Sequence, residues 1–364
     1  MRFPEFGGVW KEEQLDCVAT LSKGIGISKE QLSEDGEPCI LYGELYTKYK
    51  TEIIKQVESK TDIDDSKLKR SKANDVIIPC SGETAVDIAT ARCVPFDNIL
   101  LGGDLNIISL HKYDGAFMSY QLNGKRKYDI ARVAQGVSVV HLYGEHLKAI
   151  KTYNPSLPEQ QKIAELLSLI DERIATQNKI IEKYESLIKG IIQNITLHNK
   201  PNIRIYECLE CCSSTLQESE VLESGYYPVY GANGIVGYLD NYNTQSEAIY
   251  IIKDGSGVGT VSYVPGKCSA TGTLSILQAK EGYSLPYLYY LLKVFSFEPY
   301  KTGMAIPHIY FKDYGKAKIF CPSYSEQLRY AKLLSVIDDN LLAEQNILTN
   351  FGLQKQYLLH HMFI

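Results

Sequence analysis

Two stretches of the chain place apolar residues three or four positions apart, as on one face of a long helix. The first continues over about five heptads and contains Ile163, Leu166, Ile170, Ile174, Ile181, Tyr184, Ile188, Ile191 and Ile195, with polar Gln177 in the gap. The second lies 167 residues further on and contains Tyr330, Leu333, Ile337, Leu341, Leu348, Phe351, Lys355, Leu358 and Met362. Apolar seams of this length need partners, so the pattern predicts two helices paired as an antiparallel coiled coil. The alternative is that each amphipathic helix packs separately on its own domain.

The start of each predicted helix is repeated as well. The phrase PSLPEQQKIAELLSLID has a counterpart, PSYSEQLRYAKLLSVID, at the same offset of 167 residues. In both phrases a serine precedes a glutamate by three positions, Ser156 before Glu159 and Ser323 before Glu326. This is the spacing of a capping box, in which the two side chains satisfy exposed N–H groups of the first helical turn.

Between the helices the chain is rich in β-branched and aromatic runs that are broken by Gly, Asn and Asp, such as AIYIIKDGSGVGTVSYVPGK. Such runs predict short strands joined by turns. The segment AQGVSVVHLY at residues 134–143 matches KTGMAIPHIY at 301–310, again offset by 167. The duplication therefore includes a β-rich domain together with the helix that follows it.

These patterns predict an α+β fold with an internal pseudo-two-fold repeat, in which two β-rich domains alternate with two long helices. The predicted boundaries are 1–153 for the first domain, 154–198 for the first helix, 199–321 for the second domain and 322–364 for the second helix.

Composition is that of a globular chain, with 45% hydrophobic and 22% charged residues among 364. The first residues, MRFPEFGGVW, do not read as a signal peptide, and the most apolar later window is interrupted by Lys293. We therefore expect a cytoplasmic protein without a membrane partner. Nine cysteines without regular spacing favour reduced thiols. Cys208, Cys211 and Cys212 contain a CxxC, but a second pair is lacking, so buried or incidental thiols are favoured over a metal or redox site.

The order of motifs resembles the DNA-specificity subunit of type I restriction-modification systems. The motifs are RFPEF, YGELYTKY, SGETAVDIATA, GGDLN, QLNGKRKYDIARVAQGVSVVHLYGEHLK and the twin helices PEQQKIAELLSLID and SEQLRYAKLLSVID. The resemblance covers nearly the whole chain. It implies two target-recognition domains, each reading one half of a split sequence in double-stranded DNA. It also implies two methyltransferase subunits as partners, with restriction subunits joining in some systems. The bound cofactor, S-adenosylmethionine, would then belong to the methyltransferase, which flips and methylates a base.

Net charge argues against a DNA partner, because 38 Lys and Arg stand against 43 Asp and Glu. The objection weakens if the acids are segregated, for example in the helices and in the stretch TDIDDS at 61–66. The segment NGKRKYDIAR groups Lys125, Arg126, Lys127 and Arg132 in a predicted loop and helix start. An ordinary solvated face is the alternative reading of this cluster.

Base readers should be polar side chains on glycine-bearing loops, where the backbone can approach a groove. Arg126 is the strongest candidate for guanine, because a guanidinium can bond O6 and N7 together. Each candidate has an alternative reading as turn chemistry or a solvated loop. The candidates are Tyr42, Glu44, Ser81, Glu83, Asp104, Lys125, Arg126, Gln135 and Ser138 in the first domain, and Tyr230, Asn233, Lys253, Asp254, Ser256, Thr271, Lys301 and Thr302 in the second.

The sequence supports a catalytic function less well than a DNA-binding one. The sequence GSGVGT from Gly255 resembles a nucleotide loop, but the residues after it predict a strand, whereas a dinucleotide fingerprint opens a helix. A Walker motif and an adenine-methyltransferase NPPY-type motif are missing from the sequence. His141 and His308 recur at equivalent positions, and a structural role is favoured over DNA-backbone contact or catalysis. We therefore predict a non-catalytic DNA reader without a metal or cofactor of its own. The alternative is a duplicated β-domain scaffold that binds protein or carbohydrate.

Overall fold

The structure is a computed structural model that describes residues 1–63 and 66–363. Asp64 and Asp65, which belong to the acidic stretch TDIDDS, lie outside the described residues. Contacts divide the chain into two units, one made of residues 1–178 and 347–364 and the other of residues 179–346. Because this division cuts both long helices, the four-part domain boundaries predicted above remain a prediction.

The first β-rich domain forms from short strands with helices between them, as the β-branched runs predict. Its strands are β1 (Lys11–Gln14), β2 (Ala19–Lys23), β3 (Leu32–Ser33), β4 (Glu37–Ile40), β5 (Ser59–Thr61), β6 (Lys69–Arg70), β7 (Asp75–Pro79), β8 (Ser81–Gly82), β9 (Arg92–Val94), β10 (Leu100–Leu101), β11 (Leu105–Leu110), β12 (Val140–His141) and β13 (Lys151–Asn154). Its helices are α1 (Leu15–Val18), α2 (Glu44–Thr47), α3 (Ala85–Ile88), α4 (Gly115–Asn123), α5 (Lys127–Val133) and α6 (Gly144–Lys148).

The second β-rich domain repeats the central sheet of the first. Its strands are β14 (Ile203–Arg204), β15 (Leu209–Ser213), β16 (Tyr227–Gly231), β17 (Gly234–Leu239), β18 (Ala248–Ile252), β19 (Val261–Val264), β20 (Ser269–Ala270), β21 (Leu274–Ala279) and β22 (Lys318–Ile319). Its helices are α8 (Ile205–Cys208), α9 (Leu285–Val294) and α10 (Phe311–Tyr314). The long helices α7 (Leu157–Leu197) and α11 (Tyr324–His361) follow the first and second domains.

Strand order confirms the duplication. The first domain contains an antiparallel sheet in the order β2-β11-β7-β9, and the second contains one in the order β15-β21-β18-β19. In each domain a further antiparallel pair, β1 with β13 or β14 with β22, joins the start of the domain to the strand before its long helix. The sheets differ at the periphery, with a five-stranded sheet β3-β5-β4-β10-β6 in the first domain and a three-stranded sheet β17-β16-β20 in the second.

The two long helices run antiparallel where they meet. In the first unit, Ile163 and Ile170 of α7 share a buried cluster with Leu358 of α11 and with Met362, which directly follows that helix, together with Phe117 of the first domain. Further along α7, residues 169–177 line a surface cleft with residues 347 and 351 of α11, so the numbering runs in opposite directions. In the second unit, residues 185–189 of α7 line a cleft with residues 338–345 of α11. The predicted antiparallel pairing is confirmed.

The prediction was wrong at one position of the α11 seam. Leu333 is exposed, and its neighbour Leu334 is buried. At this level α11 also packs on the second domain, where Ala331 belongs to the hydrophobic core and Tyr290 and Lys293 reach Asp338. The buried face of the helix is therefore set by two neighbours rather than by the coiled coil alone.

The predicted capping boxes fare differently. The Glu326 carboxylate accepts from the Ser323 backbone N–H at 3.2 Å and from the Ser323 hydroxyl at 2.6 Å. The glutamate half of the second box is therefore formed. Glu159 instead receives two bonds of 2.7 Å from the Arg2 guanidinium and one of 3.3 Å from the Trp10 indole N–H. The prediction of the first box was wrong, because the Glu159 carboxylate binds the guanidinium of Arg2, which is far away in sequence.

A glutamine one residue after each of these glutamates ties each long helix to its domain. Gln160 accepts from the backbone N–H of Asp114, at the start of α4, and donates to the Pro155 carbonyl, both at 2.9 Å. Gln327 makes the same two bonds at 2.9 Å, to Ser284 at the start of α9 and to Pro322. Both amides are buried, so they fix the entry of each helix against its own domain.

We expect Gln327→Leu to lower the free energy of unfolding by about 2–3 kcal/mol, because a buried N–H and a carbonyl lose their partner together. Gln160→Leu should have a similar effect, and Gln356→Leu, at an exposed position of α11, should change little. Urea unfolding of the purified chain measures all three variants. Equal midpoints for Gln327→Leu and Gln356→Leu would contradict this role of the glutamine.

Candidate nucleic-acid interface

Both domains carry the same tight loop, called here loop 1 (residues 135–141) and loop 2 (residues 302–308). The ends of loop 1 are closed by reciprocal backbone bonds between Gln135 and His141, at 2.9 and 2.6 Å. The ends of loop 2 are closed in the same way by Thr302 and His308, at 2.9 and 2.7 Å. The repeat seen in the sequence is thus a repeat of backbone geometry.

The second residue of each loop must be glycine. Gly136 and Gly303 have φ of 122° and 89°, a region that side chains rarely adopt. A Cβ atom would overlap the Val139 carbonyl oxygen in loop 1 and the Ile306 carbonyl oxygen in loop 2. The loops therefore turn too sharply for any other residue at this position.

The two histidines anchor the loops. The Nδ1 atom of His308 lies 2.6 Å from an Asp254 oxygen, and that of His141 lies 3.4 Å from the Ser81 hydroxyl. Their rings stack on Tyr310 and Tyr143, with centroids 6.5 and 6.2 Å apart. These contacts support the structural role predicted for both histidines.

Matching backbone bonds fasten each loop to the central sheet. The Leu142 N–H donates to the Cys80 carbonyl at 2.9 Å, and the Cys80 N–H donates to Asp104 at 2.7 Å. In the second domain, the Ile309 N–H donates to the Lys253 carbonyl and the Lys253 backbone N–H donates to the Thr273 carbonyl, both at 3.0 Å. Each loop is therefore held on a rigid scaffold, as a precise binding site requires.

In the first domain, part of the candidate set converges on a cleft of about 670 Å³ beside loop 1. Tyr42, Ser81, Glu83 and Ser138 line the cleft. Asp104 adjoins it through its bond to Cys80 and has the strained φ of 58°, while its carboxylate lies 3.4 Å from Lys23. Gln135 begins loop 1 and places its amide 3.5 Å from His146.

In the second domain, the candidates follow one hydrogen-bonded path towards loop 2. The Tyr230 carbonyl accepts from the Thr271 N–H at 2.9 Å, and the Thr271 and Thr273 hydroxyls lie 2.9 Å apart. The Thr273 carbonyl accepts from the Lys253 N–H. Asp254 and Thr302 are joined to His308, as described above. The remaining candidates are Asn233, exposed in the β16–β17 turn, Ser256, exposed in the β18–β19 turn, and Lys301, paired with Glu298.

Two predicted base readers are turned into the protein. Glu44 is buried, and its carboxylate accepts from the Leu41 N–H at 2.9 Å, binds the Ser59 hydroxyl and pairs with Lys48 at 2.8 Å. Thr271 is buried within its hydrogen-bonded path. Both residues lie in loop-like sequence, but tertiary contacts bury their side chains, which therefore do not face a DNA groove.

Lys125 and Arg126 lie away from loop 1. Arg126 precedes α5, whereas loop 1 follows the other end of this seven-residue helix, which is about 10 Å long. The Arg126 side chain is 16% exposed, lies 3.2 Å from Asp129 and covers the Tyr153 ring at 5.1 Å. A guanidinium held in this way does not present its fork to guanine, so the structure does not support Arg126 as a base reader.

Tyr46, Asp87 and Thr90 also line the first cleft, although sequence reasoning missed them. The Tyr46 hydroxyl donates to the Ser81 carbonyl at 3.0 Å, and burial raises its pKa. Tyr46 stands in the YGELYTKY motif, four residues after Tyr42. Because Tyr42 lies before α2 and Tyr46 lies within it, a helical spacing did not point to Tyr46.

Other predicted chemistry is placed as follows. The strand β19 follows the GSGVGT loop, which confirms that this loop opens a strand rather than a helix. Cys208 is buried, and burial raises the pKa of its thiol to about 12. Among the described residues, groups of His, Cys, Asp or Glu that could hold a metal ion are not found. Over the same residues, every helix is too short or too polar to cross a bilayer.

The sequence matches the family described as type I restriction modification DNA specificity domain twice, at residues 9–186 and 205–350. The chain is 25% identical over 284 residues to a protein described as a putative type I specificity subunit of Mycoplasma genitalium, covering 71% of this chain and 73% of that protein. It is 24% identical over 174 residues to the specificity subunit of an Escherichia coli type I restriction enzyme, covering 48% of this chain and 39% of the relative.

The fold is also found in solved structures. A crystal structure of a type I restriction-modification S subunit from M. genitalium superposes with a TM-score of 0.69 at 20% identity, covering 100% of this chain and 99% of that one. A chain from a structural study of complex assembly in the type I system gives a TM-score of 0.55 at 15% identity, covering 98% and 97%. These likenesses establish the fold.

Proposed function

Because the chain belongs to the family of type I restriction modification DNA specificity domains, we propose that it selects the DNA sequence on which a restriction-modification complex acts. Each β-rich domain reads one half of a split, asymmetric site in double-stranded DNA. The two long helices, which continue from one unit into the other, set the number of base pairs between the halves.

One observation carries the proposal: a single chain builds the same loop site twice, with different side chains. Loop 1 begins with Gln135 where loop 2 begins with Thr302, and Ser81 stands where the second domain has Asp254. A shared backbone gives both halves the same way of approaching a groove, while different polar groups suit different bases. This combination fits a bipartite site whose halves differ in sequence.

The proposed DNA contacts are the candidates that lie around the loops. They are Tyr42, Ser81, Glu83, Asp104, Gln135 and Ser138 in the first domain, and Tyr230, Asn233, Lys253, Asp254, Ser256, Lys301 and Thr302 in the second. Lys125 is kept only as a phosphate contact. Since the net charge is −5, basic partner subunits supply part of the clamp on the DNA.

The family implies methyltransferase subunits as partners. We propose that two of them bind, one for each half of the chain, and that restriction subunits join where the system includes them. In this arrangement S-adenosylmethionine is bound by the methyltransferase, and the present chain supplies recognition without a catalytic group. The complex would act in the cytoplasm, where DNA is accessible to it.

The proposal is tested by expressing the chain with its partner methyltransferase in cells free of other DNA methylation and sequencing the modified bases. We expect a motif of two short half-sites separated by a spacer of any sequence, and loss of methylation when this chain is omitted. An undivided motif, or methylation that persists without the chain, would contradict the proposal. Binding of the purified complex to carbohydrate in preference to duplex DNA would favour the scaffold alternative.

A further inference from the structure

The tips of loops 1 and 2 hold apolar side chains in solvent. Val137 is 98% exposed, and Val139 is exposed beside it. At the equivalent place in loop 2, Met304 and Ile306 are exposed. At each tip, two exposed apolar side chains lie close together on a loop whose backbone is fixed. Grouped exposed apolar side chains mark binding surfaces.

The tips are preorganised. Each loop is closed by two backbone bonds, turned by a glycine with positive φ, and anchored through a histidine. Contact at such a tip costs little ordering of the chain, so less of the free energy gained by burying apolar area is lost on binding.

The size and surroundings of the tips favour DNA over a protein. Each tip offers two apolar side chains, whereas a stable protein interface covers about 800 Å² on each partner. Their neighbours are polar groups of the proposed DNA interface, Ser138 and Gln135 in loop 1 and Thr302 in loop 2. A small apolar group set among polar ones suits the edge of a base pair.

Different apolar residues on a matching backbone indicate that the tips read sequence. Loop 1 carries Val-Ser-Val where loop 2 carries Met-Ala-Ile. In the major groove, the apolar group that distinguishes one base from the others is the thymine C5-methyl. We propose that each tip packs against a thymine methyl group in its own half-site, through Val137 and Val139 in loop 1 and Met304 and Ile306 in loop 2.

This inference rests on the proposed function and is tested on the assembled complex with its partner methyltransferase. The double variants V137S/V139S and M304S/I306S are compared with Val9→Ser, which replaces an exposed valine outside the loops. The dissociation constant is measured for a duplex with the methylated bipartite site and for a duplex without it. We expect each tip variant to bind its site about tenfold more weakly, because apolar area is no longer buried. Binding to the other duplex and the salt slope should stay the same, because an apolar contact releases no counterions.

Replacing thymine by uracil, which lacks the methyl group, identifies the contact. We expect one such replacement in each half-site to weaken binding of the native complex and to have no further effect on the matching tip variant. The inference is wrong if a half-site contains no thymine, if uracil has no effect, or if both tip variants bind like Val9→Ser. It is also wrong if the tip variants fail to assemble with the methyltransferase while Val9→Ser assembles, since the tips would then contact protein. In every one of these cases methylation of a bipartite site by the native complex leaves the proposed function standing, whereas its absence contradicts that function.

Discussion

Replacing Lys355 by methionine is expected to lower the free energy of unfolding by about 3–5 kcal/mol. The Lys355 ammonium lies 2.6 Å from a Glu52 oxygen and 2.6 Å from an Asp171 oxygen. Their side chains are 16%, 8% and 4% exposed, respectively. Removing the cation leaves two buried carboxylates beside each other, which explains why a charged residue occupies an apolar seam position of α11.

The group around Lys355 is tied to the first domain, so its loss affects more than the helix pair. Asp171 accepts from the Tyr120 hydroxyl at 2.7 Å, and the Lys355 ammonium lies 5.8 Å from the centre of the Tyr120 ring. Burial and the neighbouring Asp171 carboxylate raise the pKa of Tyr120. The hydroxyl therefore stays protonated and remains a hydrogen-bond donor to Asp171. The equivalent position in α7 is Ile188, which cannot form the same ion group.

Urea unfolding of the full chain measures the effect of Lys355→Met. Lys332→Met, at an exposed position of the same helix, is the matched control and should change stability little. The triple variant K355M/E52Q/D171N removes the charges together and should recover most of the loss. A change below about 1 kcal/mol for Lys355→Met would show that the ion group is not needed.

Adding one heptad to both long helices is expected to lengthen the DNA spacer while both half-sites stay the same. The insertions are placed after Asn178 in α7 and after Asn346 in α11, where both helices pass from one unit to the other. Seven residues keep the apolar seam in phase and add about 10 Å of helix, equivalent to about three base pairs.

Sequencing of methylated sites measures the spacer directly. A four-residue insertion in α7 alone serves as the control, because it shifts the phase of the seam and should lower stability instead. Rotation of one half-site around the duplex limits activity to sites that the DNA can twist to present. If the heptad variant folded and bound its partners but methylated sites with the original spacer, the helices would not set the distance.

The repeated helices, the strand-rich domains and the equivalence of loops 1 and 2 were predictable from sequence. Each depends on a local period or on a direct match between two segments, such as Gly136 with Gly303. Contacts between residues distant in sequence were not predictable. The cation of Arg2 replaces the capping box of Glu159, and the second domain turns Leu334 rather than Leu333 inward.

For the candidate site, the sequence likewise predicted local features but did not predict long-range contacts. Glycine-bearing loops identified the region around Ser81 and Asp254, because turn chemistry is local. Burial of Glu44 and the packing of Arg126 on Tyr153 depend on how the loops fold back on the domain. A polar residue in a loop-like sequence therefore indicates a place on the chain, and only the fold decides whether its side chain faces the solvent.

Exchange of one domain tests the central claim most directly, which is that each β-rich domain reads its own half of the DNA site. Residues 201–320 are replaced by the corresponding domain of a relative, and methylated bases are sequenced in cells that express the exchanged chain with the native partners. The account predicts that one half-site changes to a new sequence, while the other half-site and the spacer remain as before. A change in both half-sites, or in neither, would contradict it.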